Sequence, residues 1–242
     1  NIEAFRFFQP FIEAGAAKFE TAGALRNGKI IWLLAKLNQA NAVIRANDEI
    51  EKYLLLANSH DGSLTVRTGL TPVRVVCANT LAMSLTGEKT KILQLRHTQT
   101  LQINLEKVQE IIAGINQNFQ AVSNAFQFLA TVNVNTNTLE DYIRNVFRTK
   151  VPETEIQPQE QDLIDAEETN KLLVKRILEI FMTRLYGSKK FDTWWEAYNA
   201  ITEYLTHCRG KNPETRLDSV WFGNSEMLNR KALKIALDMA SK

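Results

Sequence analysis

The dipeptide Asn27-Gly28 stands between two strand-forming runs, and it constrains the fold more than any other feature of the chain. Asn-Gly supplies the two positive φ angles of a type I′ turn, the connection whose twist matches that of two adjacent antiparallel strands. Strands are therefore expected near 19–26 and 29–37. The second of them, Ile30-Ile31-Trp32-Leu33-Leu34-Ala35, is apolar without alternation, so both of its faces must be covered and it belongs in the middle of a sheet. Its partner is half exposed.

The same pattern returns downstream. Residues 38–50 read as a connection, Tyr53–Asn58 as a strand, Asp61-Gly62 as a turn and Leu64–Leu70 as an alternating strand that extends to about Val75 despite Pro72. Cys77, Leu81 and Leu85 recur every four residues, which predicts a helix over 77–85 that stops at Gly87. ILQLRHT then offers a further half-exposed strand. Upstream of the first hairpin, Phe5, Phe8, Phe11 and Ile12 mark a short amphipathic helix that Pro10 is expected to break or bend.

The rest of the chain is helical in pattern. From Leu101 to Leu129 apolar residues step by three or four, opposite a polar side rich in Gln and Asn. Asn133–Asn137 ends that helix, and Thr138 is read as the cap of a shorter one, with Asp141 at N3. Residues 151–168 carry two of the five Pro and seven acidic residues, which suits a linker or exposed loop. Helices are expected at about 163–186, 193–208 and 225–240. The fold class is α+β: residues 1–150 form a hairpin-built antiparallel sheet packed on helices, 151–168 a linker or loop, and 169–242 a helical region packed on that core.

With 242 residues, 45% of them hydrophobic, 23% charged, 10 Gly and 5 Pro, the chain is neither disordered nor fibrous. No apolar run approaches the ~20 residues of a membrane span. Two cysteines, Cys77 and Cys208, cannot build a disulfide framework, so the expected compartment is the cytoplasm. The first residue is Asn rather than Met, which is expected of a fragment or processed chain.

Sites for chemistry are scarce. No Walker loop, dinucleotide glycine pattern, paired CxxC, HExxH or GxSxG occurs, and no metal or cofactor is expected. His60-Asp61 is an adjacent imidazole and carboxylate, yet Asp-Gly is what a tight turn selects, so a structural turn outweighs a hydrolase centre there. His97 reads as a packed or surface histidine and Cys77 as buried filler. Trp194, Tyr198, Ile201 and Leu205 could stack bases, but a helical stripe of this kind is more often core.

Charge is what remains. The net value of +2 hides a polarised chain: residues 18–97 hold 11 Lys/Arg against 6 Asp/Glu, whereas residues 98–187 hold 8 against 12. The local field governs encounter with a polyanion. Strands present side chains on one face every ~6.6–7 Å, close to the spacing of an extended nucleic-acid backbone. Arg67, Arg74, Lys89, Lys91 and Arg96 are the candidate phosphate contacts, with Lys29 and Lys36 lining the same groove. The plain alternative is that edge strands carry Lys and Arg to discourage sheet-to-sheet association.

The strings ETAGALRNGKIIWLLAKL, YLLLANSHDGS, TPVRVVCANTL and RHT, in this order, with WWEAYNAITEYLTH and RLDSVWFG later, resemble the phage/plasmid-like protein family, domain-of-unknown-function family 932. The likeness covers about Ile2 through Ala240. Two departures are Ala78, where the family usually has Gln, and the 151–168 insert. Members usually carry a further N-terminal segment. The resemblance implies residence in prophages and plasmids rather than a particular reaction. It directs the expectation toward a non-enzymatic nucleic-acid-binding protein, favouring single-stranded DNA in annealing, replication or recombination, with self-association and without a membrane. The competing expectation is a structural or protein-interaction module, such as an inhibitor of a host factor.

Overall fold

The computed structural model describes residues 2–59, 66–74, 79–80, 93–95, 105–148, 160–187 and 192–242. The Asn27-Gly28 turn forms as the dipeptide requires. Asn27 and Gly28 take φ angles of 56° and 85°, and the Lys29 N–H donates to the Arg26 carbonyl at 3.3 Å. Strands β1 (Ala17–Leu25) and β2 (Ile30–Leu37) pair antiparallel on either side of it. Helix α1 (Ile2–Glu13) precedes them and runs through Pro10 rather than breaking there. A proline inside a helix forfeits one backbone bond, and the fully buried rings of Phe8 and Phe11 offset that loss.

The segment 38–50 is more than a connection. It holds β3 (Ala42–Arg45) and the start of β4 (Asp48–Ser59), joined by a tight turn in which Asn47 takes a φ of 63°. β2 and β3 lie along the same side of β4, so together they form one arm interrupted by residues 38–41. Sequence periodicity missed β3 because four residues are too few to show alternation.

On the other side of β4 lies β5 (Val66–Arg74), which includes Pro72 opposite Lys52. The short strands β6 (Asn79–Thr80) and β7 (Leu93–Leu95) share the far side of β5. β6 falls inside the span expected to be helical. The four-residue spacing of Cys77, Leu81 and Leu85 is overridden there by pairing with Val73 and Arg74 and by the Asn229 amide, which donates to the Thr80 carbonyl at 2.8 Å. The Asp61-Gly62 turn, the rest of the 77–85 helix, His97 and Cys77 lie outside the described residues.

Seven helices complete the described fold. After α1 come α2 (Leu105–Leu129), α3 (Thr136–Phe147), α4 (Glu160–Gly187), α5 (Trp194–Glu203), α6 (Pro213–Phe222) and α7 (Asn224–Ala240). α5 runs on into a π turn, Tyr204–Cys208. The α3 cap is Asn135 rather than Thr138: its side-chain oxygen accepts from the Thr138 N–H at 2.9 Å, which places Thr138 at N3. α6 has a reciprocal capping box between Asn212 and Thr215 with Pro213 at its first position. Of the acidic 151–168 segment, the part from Glu160 is the beginning of α4.

The sheet has two distinct faces. Leu33, Ala35, Leu54, Leu56 and Leu70 point inward, into one core shared with α1, α2 and the C-terminal helices. The aromatic stripe belongs to that core: Trp195 and Tyr198 are fully buried, with their rings 4.9 and 5.7 Å from Phe126. A latch of charges closes the far end of the arm. The buried Asp48 carboxylate accepts from the Trp195 indole N–H at 2.8 Å, and Arg45 pairs with both Asp48 and Glu196. The outer face carries Ile30, Trp32 and Leu34 of β2 and Leu55 and Ala57 of β4, and α6 covers them with Leu217, Val220, Trp221 and Phe222.

Candidate nucleic-acid interface

Register decides which cations can act together. β1 carries an irregularity between Phe19 and Thr21, and the one-residue shift it introduces brings Lys18 directly opposite Lys36 on the outer face. Like charges facing one another across a ladder are unfavourable. Glu51 relieves part of that repulsion. Its carboxylate pairs with the half-buried Lys36 ammonium and accepts from the Tyr53 hydroxyl at 2.6 Å.

The electrostatics of this trio follow from its partners. Burial pushes the Glu51 carboxyl up, but the hydrogen bonds from Lys36 and Tyr53, with the Lys36 charge, hold it below the usual carboxylate range. The Tyr53 phenol goes the other way. Burial, its hydrogen bond to Glu51 and the negative charges of Glu51 and Glu20 raise it well above the ordinary tyrosine range.

Lys18 and Lys29 are exposed, and neither forms an ion pair among the described residues. Arg26, beside Lys29, is bound instead. Its guanidinium makes a two-pronged contact with Asp218 of α6, both arms 2.9 Å, and its backbone N–H donates to Glu214 at 2.6 Å. That clamp fastens the β1–β2 turn to α6.

β5 does not present Arg67 and Arg74 together. Position 67 pairs with Ala57 on the outer face, and position 74 pairs with Ile50 on the inner one. Seven residues of unshifted strand separate them, an odd number, so they fall on opposite faces. Position 67 shares its face with Lys18 and Lys36, but the α6 residues that cover Trp32, Leu34 and Leu55 lie between. Lys89, Lys91 and Arg96 lie outside the described residues, as do His60 and Asp61.

Two features escaped the sequence reading. Lys18 gave no signal, because the hairpin register counted outward from the turn sets Phe19, not Lys18, against Lys36. Lys52, on the inner face of β4, is 9% exposed and donates to the side-chain oxygens of Gln39 at 3.1 Å and Asn116 at 3.4 Å, with the Phe119 ring centre 4.6 Å away. Burial holds its ammonium below the ordinary lysine range. Gln39 belongs to the interruption between β2 and β3, so that break in the arm is what supplies a partner to Lys52.

Among the described residues no group of three or more His, Cys, Asp or Glu side chains could hold a metal ion, and no helix is long and apolar enough to cross a membrane. No curated protein and no solved structure matches the chain. A family model described as a domain of unknown function (DUF932) matches residues 1–221, which takes in every strand of the sheet and the helices up to most of α6. The chain belongs to that family.

Proposed function

We propose that the protein binds nucleic acid without catalysing a reaction, with single-stranded DNA of a phage, prophage or plasmid as the favoured partner. The observation that supports this most is the cross-strand pair Lys18–Lys36 on the outer face. Two ammonium groups set side by side by the ladder are relieved by a bridging anion, and a phosphodiester is such an anion. Lys29 stands apart from that pair, at the turn end of the same two strands, with the α6-covered Ile30, Trp32 and Leu34 between them. Glu51 tunes the pair by neutralising Lys36 in the absence of ligand.

Holding one strand extended with its bases available is all that annealing demands, and it needs charge placement rather than a nucleophile or a metal. The contact is to phosphates, so sequence preference should be weak. Titration of a single-stranded oligonucleotide at rising salt tests the reading. Binding should weaken linearly in log–log form, with a slope of about 0.7 per phosphate neutralised. Absent or salt-independent binding overturns it.

A further inference from the structure

Lys52 is a cation that the fold holds without a counterion. It stands on the inner face of β4, nine-tenths buried, among Gln39 from the break between β2 and β3 and Asn116 and Phe119 from α2. A lysine is almost never buried to this extent unless an anion pairs with it. Among the described residues none does. Glu51, the residue before it, is on the opposite face and is committed to Lys36 and Tyr53, and the Glu49 carboxylate accepts from the Asn41 amide at 2.8 Å.

The hydrogen bonding is incomplete in the same sense. An ammonium only donates, so the side-chain oxygens of Gln39 and Asn116, at 3.1 and 3.4 Å, are the atoms turned toward it. For its third N–H the described residues offer the Phe119 ring, centre 4.6 Å from the nitrogen, and no oxygen. The amide nitrogens of Gln39 and Asn116 donate to nothing among the described residues, and both side chains are partly exposed. Every unmet group at this point is a donor.

We propose that Lys52, Gln39 and Asn116 bind the carboxylate of a small molecule that enters at the break between β2 and β3. A carboxylate carries the single negative charge that one ammonium matches, and its two oxygens accept from the ammonium and the amide nitrogens together. A phosphate monoester, with about two charges at neutral pH, would leave one of them buried and unmatched. The site lies on the inner face, over Phe119 of the main core, so the inference goes beyond the nucleic-acid reading of the outer face and stands independently of it.

The test is a titration of the whole chain with potassium acetate, exchanged for potassium chloride at constant ionic strength and read from the side-chain amide NMR signals. The signals of Gln39 and Asn116, assigned by their absence from Gln39→Ser and Asn116→Ser, should shift saturably while the other Asn and Gln signals stay in place. Lys52→Met should abolish both shifts. Asn116→Asp tests the same point while keeping the lysine: its own carboxylate stands beside the ammonium, so the Gln39 signal should become insensitive to acetate. Inorganic phosphate at neutral pH should compete more weakly than acetate. Signals that do not move with acetate, or that move equally with chloride, overturn the proposal. So does a saturable shift that persists in Lys52→Met or Asn116→Asp, or phosphate binding tighter than acetate.

Discussion

Gly23 of β1 lies directly across the ladder from Trp32 of β2, and a Cβ at position 23 would meet Cζ2 of that indole at 2.6 Å. The glycine is there for space. Trp32 in turn packs edge-on against Trp221 of α6, with ring centres 4.9 Å apart, so the missing side chain in β1 is what lets α6 sit on the outer face. Gly23→Ala should displace Trp32 and destabilise the fold by ~1–3 kcal/mol, the usual range for overpacking. Urea unfolding followed by tryptophan fluorescence checks this. Trp32→Leu in the same chain should recover part of the loss, because the clash disappears with the indole.

Lys18 and Arg74 give the nucleic-acid reading a matched pair of variants. Lys18 faces Lys36 on the outer face, whereas position 74 is on the inner one. Lys18→Gln should lower the salt slope of oligonucleotide binding by about 0.7, and Arg74→Gln should leave it unchanged. Glu51→Gln releases the Lys36 ammonium from its carboxylate and should tighten binding, with a steeper slope. Equal effects from Lys18 and Arg74 would mean that phosphate contacts do not follow the faces of the sheet.

Trp195 and Asp48 tie the tip of the β3–β4 hairpin to α5 through a 2.8 Å hydrogen bond between buried groups. Trp195→Phe retains an aromatic ring but removes the donor, leaving a buried carboxylate short of a partner. The expected loss is ~1–3 kcal/mol from the unmet acceptor, measured as a lower urea midpoint. A midpoint equal to wild type would show that Asp48 is satisfied without the Trp195 indole.

How much of this was legible in advance depends on what each residue reports. Asn27-Gly28 announces its own backbone geometry, and an apolar run such as Ile30–Ala35 announces its own burial, so the first hairpin and its central strand could be read directly. The core role of the Trp194–Leu205 stripe was readable for the same reason. Glu20 shows the opposite case. It is the extra residue of the β1 irregularity, nothing in its identity signals a shift, and yet that shift decides whether Phe19 or Lys18 faces Lys36. β3 and the described residues of β6 were similarly hidden, since so few residues carry no periodicity even though each pairs with its neighbour in sequence. The ion pairs of Arg26 and Arg45 reach across 192 and 151 residues, a separation at which charge patterning says nothing.

Lys52 supplies a prediction about pH. Its folded-state value is depressed by burial, and both its hydrogen-bond acceptors, Gln39 and Asn116, are neutral. At neutral pH the unfolded chain holds this proton more tightly than the folded one, so the charge disfavours folding. That penalty is fully present below the folded value and is relieved as pH climbs from there toward the unfolded value of 10.5. Stability should therefore rise with pH on the alkaline side of neutrality. Above pH 10 the raised Tyr53 phenol works against the trend, because the unfolded tyrosine then releases its proton first. Lys52→Met, which fills the same space without a charge, should flatten the rise as pH climbs from neutrality toward about 10. Urea midpoints measured across that window on both proteins make the comparison, and parallel curves would show that the Lys52 ammonium is as well accommodated in the fold as in water.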